Sequence, residues 1–99
     1  MNYQLIIQFP GENLDSLIKI EDALNEKLTD AEIDGHDIGS DEMNIFIFTD
    51  NPVSTFQSIK EILEHCNVDL NTIKCAYRDI NSEEFNSLWP KGLKTFSVS

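Results

Sequence analysis

Basic residues are scarce: seven Lys and Arg stand against eighteen Asp and Glu, a formal net charge of −11 at pH 7. A surface so negative repels phosphate backbones and anionic headgroups, so neither nucleic acid nor a membrane is the expected partner. Long apolar runs are missing too; the longest, Ile45 to Phe48, has four residues where a spanning helix needs about 20. The opening Met1-Asn2-Tyr3-Gln4 has neither a positive n-region nor an apolar core, so no secretory signal is expected and the chain is expected to be cytoplasmic. There are two cysteines, Cys66 and Cys75, without CxxC spacing or a metal-ligand set around them; they read as reduced thiols, with a disulfide between them, which their spacing allows, as the lesser reading. No Gly-rich phosphate loop, nucleophile elbow or HExxH occurs. The three prolines punctuate segments instead of clustering into a linker. Residues 1–99 are therefore expected to form a single α+β domain.

Apolar residues make up 40% of the chain, enough for a core without staples. Tyr3, Leu5, Ile7 and Phe9 alternate with Gln4, Ile6 and Gln8, a strand ended by Pro10-Gly11. Asn13 caps a helix over residues 14–28, with Leu14, Leu17, Ile18, Leu24 and Leu28 as its stripe. Glu32 to Ile38 reads as a polar edge strand with Gly35 inside it. The turn Gly39-Ser40-Asp41-Glu42 leads to Met43–Thr49, a strand apolar on both faces and hence central. Asp50 or Asn51 caps a second helix with Pro52 at its first position, and Val53, Phe56, Ile59 and Leu63 form its buried stripe to about His65. Leu70–Ile80 is a strand with one wet face carrying Lys74 and Arg78. This β-α-β-β-α-β order predicts a ferredoxin-like sandwich, an antiparallel sheet with two helices on one face. Asn81 and Glu84 read as the ends of a capping box opening a short helix with Phe85, Leu88 and Trp89, stopped by Pro90. Leu93–Val98 then supplies a fifth strand or an extended closing segment.

Charge placement is the most informative functional signal. From Lys27 to Lys60 no Lys or Arg intervenes, while Asp30, Glu32, Asp34, Asp37, Asp41, Glu42 and Asp50 fall in that interval. One reading is a solvated edge kept acidic for solubility. The other is a surface for a basic protein partner, where opposed charge steers association and sets specificity. The candidate partner-binding residues are Asp34, His36, Asp37, Asp41, Glu42 and Asp50. On a regular strand Asp34 and His36 share a face and Asp37 points away, too few donors for zinc, so no metal site is expected. His65 and Cys66 are adjacent at a helix end and do not face a common substrate, and a helix C-terminus disfavours a thiolate. No catalytic residue, cofactor or enzyme activity is expected. An exposed Trp89 would be an interface anchor and a buried one a lid on the core.

Ile33-Asp34-Gly35-His36-Asp37, Glu42-Met43-Asn44-Ile45-Phe46-Ile47-Phe48 and Leu88-Trp89-Pro90 are set in a small, acidic chain without a catalytic motif. In these respects it resembles bacterial immunity proteins of the contact-dependent growth-inhibition type. That resemblance implies a protein that binds a cognate toxin, often a nuclease, and blocks its basic active-site groove. The alternative class is a ferredoxin-like regulatory or small-ligand-binding module, marked by an apolar pocket or a symmetric dimer.

Overall fold

A computed structural model describes residues 1–98. The elements are β1 (Tyr3–Pro10), α1 (Leu14–Lys27), β2 (Ala31–Gly39), β3 (Glu42–Thr49), α2 (Pro52–His65), one 3-10 turn (Leu70–Thr72), β4 (Lys74–Asp79) and β5 (Asn86–Trp89). The strands make one five-stranded sheet in the order β2-β3-β1-β4-β5, every adjacent pair antiparallel. β1 and β3, with the most apolar sequences, are interior, and polar β2 is an edge.

Both helices lie on one face. Leu5, Ile7 and Phe9 of β1, Ile45 and Ile47 of β3, and Cys75 of β4 meet Leu17, Ile20 and Leu24 of α1 and Phe56, Ile59, Ile62 and Leu63 of α2. Full burial of each such side chain contributes about 1.5–3 kcal/mol. The Asn13 side chain accepts from Ser16 N, and Asp15 and Lys27 sit at the dipole-favoured ends of α1. Ile20 and Ala23 pack toward the core, whereas Leu14 and Ile18 are exposed. The expected stripe was too wide: Ile18 lies about 100° round the helix from Leu17. On α2 Val53 is likewise exposed. Asn51, not Asp50, is its N-cap, and Pro52 opens the helix. The helix ends on Asn67 in the left-handed region, φ 61°, with Asn67 N donating to Glu64 O and Val68 N to Leu63 O. Those two bonds form a Schellman motif that satisfies the terminal carbonyls.

The chain after β4 departs from expectation. No short helix forms at Asn81–Trp89. Asp79 accepts from Asn81 N through its side chain and from Ser82 N through its carbonyl, and Ser82 Oγ accepts from Glu84 N. These polar groups turn the chain back, and Asn86–Trp89 pairs with β4 as the fifth strand. The open edge of β4 offers hydrogen bonds that nothing local to residues 81–89 reveals. Leu93–Val98 is not a strand; it closes over the face opposite the helices. There Ser97 O accepts from Gln8 Nε2 at 3.0 Å and Phe96 meets Phe85 edge to face at 5.2 Å. Ile6 and Ala76, which pair on that face, are buried, so it is not wholly wet.

Candidate partner surface

The surface is organised by a bulge in β2. Ile33 pairs with Ile47 and Gly35 with Phe46, which leaves Asp34 as the extra residue. A bulge reverses the alternation that follows it. His36 therefore pairs with Ile45, on the helix side, instead of sharing a face with Asp34. Its Nδ1 lies 3.0 Å from Glu21 Oε2 and 3.2 Å from Oε1. Glu21, on α1, was not singled out from sequence, because the contact exists only once the bulge has swung His36 over.

Asp34 and Asp37 are exposed about 10 Å apart along β2, and Asp37 pairs with Asn44 on the face opposite the helices. Asp41 occupies the turn with φ 60°, a conformation that Asp tolerates better than most residues. The turn is tied down because Gly11 N donates to Asp41 O at 2.8 Å and Asp41 N to Glu12 Oε1 at 3.3 Å. Glu42 is half-buried, its Oε2 accepting from Gln8 Nε2 at 3.2 Å and Asn44 Nδ2 at 3.3 Å. Asp50 stands apart, about 27 Å along β3 from Glu42 at a strand rise of 3.4 Å. Its Oδ1 accepts from Asn2 N at 2.9 Å and lies 3.9 Å from the N-terminal ammonium. Four of the six candidates, Asp34, Asp37, Asp41 and Glu42, thus follow β2 and its turn. His36 is held on the helix side, and Asp50 is at the far end of β3.

Two open grooves are present, one at the β2–β3 turn end of β1 and β4 and one at the β2 edge. One, of about 210 Å³, is lined by Gln8, Asp41, Glu42, Thr72 and Lys74 among others. The second, about 360 Å³, is lined by Asn25, Ala31, Glu32, Ile33, Asp34 and Phe48. Glu32, one of the acids of the cation-free interval, pairs directly with Phe48 and so joins the second groove.

Trp89, Arg78 and the cysteines lie away from this edge. Trp89 is half-buried; its Nε1 donates to Leu70 O at 2.7 Å, and its ring packs against Phe56 at 6.2 Å. The Lys60 ammonium lies over both rings, 5.4 Å from Phe56 and 5.2 Å from Trp89, a cation–π arrangement. Trp89 is a lid. Arg78 donates to Gln4 Oε1 and to the carbonyls of Ile80 and Ser82. Both cysteines are free thiols, and burial pushes the Cys75 thiol well above its ordinary pKa. Among the described residues no cluster of three or more His, Cys, Asp or Glu could hold a metal ion, and no helix is long and apolar enough to cross a membrane. No protein-family model matches the chain, and neither the curated proteins nor the solved structures include a significant match.

Proposed function

We propose that the chain is an acidic, non-enzymatic inhibitor of a basic protein, an immunity protein that covers the groove of a cognate nuclease-type toxin in the cytoplasm. The carrying observation is the cation-free interval between Lys27 and Lys60, whose acids Asp34, Asp37, Asp41 and Glu42 run along β2 and into its turn. A nucleic-acid-cleaving domain carries a basic groove, and opposed charge there raises both association rate and affinity. The open, carboxylate-lined grooves favour this reading over a small-ligand module, which needs an enclosed, mostly apolar pocket. On the same reading β1-α1-β2-β3-α2-β4 is a ferredoxin-like unit, supported by β1 and β2 running parallel with β3 between them, and β5 is an addition at the β4 edge.

The test is inhibition and binding against a panel of purified basic bacterial toxin nuclease domains, at low and high salt. One domain is expected to be bound and inhibited. Asp37→Asn, Asp41→Asn and Glu42→Gln combined should then weaken binding at least tenfold in low salt and flatten its salt dependence. A triple variant that binds as tightly as wild type, with the same salt slope, places the surface elsewhere.

A further inference from the structure

We propose that the partner docks by adding a basic strand to the free edge of β2, seating an arginine side chain in the groove formed by Glu32, Asp34 and Phe48. The proposal rests on the acidic-inhibitor reading and names how the contact is made.

The backbone supplies the first reason. β2 runs nine residues, Ala31–Gly39, and pairs only with β3, so one side of its N–H and C=O groups is free for another strand. The opposite edge, β5, has four residues and offers far less ladder.

Charge selects the occupant. A second copy of this chain would set Glu32, Asp34 and Asp37 against their own counterparts, between two molecules each at −11, and like charges across a strand pair are destabilising. A basic strand reverses that sign. The carboxylates of Glu32 and Asp34 have no hydrogen-bond or ion partner among the described residues, so pairing them breaks nothing within the fold.

The groove supplies the third reason. Its lining brings the exposed residues Glu32 and Asp34 together with half-buried Phe48 and with Asn25. Guanidinium combines planar donors for carboxylates with a flat cation that stacks on an aromatic face, which a lysine ammonium does not match. The bulge at Asp34 lies in this lining and interrupts the regular ladder there.

The experiment uses the full chain, labelled with nitrogen-15, and synthetic heptapeptides of alternating arginine and valine. A second peptide has the same sequence with alternate amides N-methylated, which keeps the charge but cannot extend a ladder. A third replaces arginine by lysine. The expected result is that the first peptide shifts the amides of Ala31–Gly39 and slows their hydrogen exchange. N-methylation should weaken binding at least tenfold, and lysine by about threefold or more. Glu32→Gln combined with Asp34→Asn, both at exposed positions, should weaken it about tenfold. Equal affinity for the methylated peptide overturns edge docking, as does a footprint around Asp41 and Lys74 or no binding at millimolar peptide. If toxin inhibition persists in the panel above while edge docking fails, only the mode of contact is lost; if no basic domain is inhibited, the acidic-inhibitor reading falls instead.

Discussion

Cys75 shows how burial sets the chemistry of a residue. It is fully buried on the helix face of β4, where a thiolate would be stripped of water, so its pKa is raised well above the ordinary 9.0 by that desolvation. In the unfolded chain the thiol ionises near its ordinary value, so above that pH the folded state holds a proton that the unfolded state has released. Stability from this group is therefore complete below pH 9 and is lost as pH rises toward the folded-state pKa. The slope approaches about 1.4 kcal/mol per pH unit. Urea unfolding of wild type and Cys75→Ala under reducing conditions, from pH 8 to pH 10, isolates the term from tyrosine and lysine titration. Wild type is expected to lose stability faster; parallel pH profiles would show that Cys75 ionises in place. Trp89 makes the same point for polarity, since its one donor is met by Leu70 O and its ring is free to close the core.

At the scale of elements, what was legible in the sequence divides by the range of the interaction that decides it. The helices were readable because their signals are local: Asn13, Asp15 and Lys27 for α1, and Pro52 with the Phe56, Ile59 and Leu63 stripe for α2. The places of β1, β2 and β3 followed from how apolar each strand is. Residues 81–89 were misread because Asn81 and Glu84 fit a capping box equally well in isolation, and only the free edge of β4 decides for a strand. The bulge in β2 was invisible for the same reason, since it exists only in the pairing with β3, and it moved His36 away from Asp34. Gly35 gives this element a test. Its φ lies outside the left-handed region and an added Cβ meets nothing within 4 Å, so neither sterics nor backbone requires glycine. Gly35→Ala is expected to raise stability by about 0.4–1 kcal/mol, through a less flexible unfolded chain. A lower urea midpoint at unchanged m-value would show that the bulge depends on the glycine.

Over the whole molecule, the charge of −11 is confined to a body of 32 × 29 × 23 Å. At 0.01 M ionic strength the Debye length is about 30 Å, so carboxylates on opposite sides still repel; at 0.15 M it is about 8 Å and only neighbours do. Folding gathers these charges, and the unfolded chain lets them separate, so salt favours the folded state. The opposing loss is small, because Asp50 with the N-terminal ammonium is a surface pair worth less than about 1 kcal/mol. Sodium chloride from 0.01 to 0.15 M is therefore expected to raise the melting temperature by about 4–8 °C, the shift that roughly 1 kcal/mol produces in a domain of this size. Most of the rise should be complete by 0.15 M, because screening saturates once the Debye length falls below the spacing of all but adjacent acids. A steady rise toward 1 M would point instead to exclusion of salt from the protein surface, and a fall would mean that the charges are better paired than their placement indicates. Asp34→Asn with Asp37→Asn, both exposed, should raise the low-salt melting temperature and shrink the gain. The same repulsion then opposes folding in the free protein; if a basic partner covers β2 as proposed, that repulsion is relieved, and binding should stabilise the fold most at low salt.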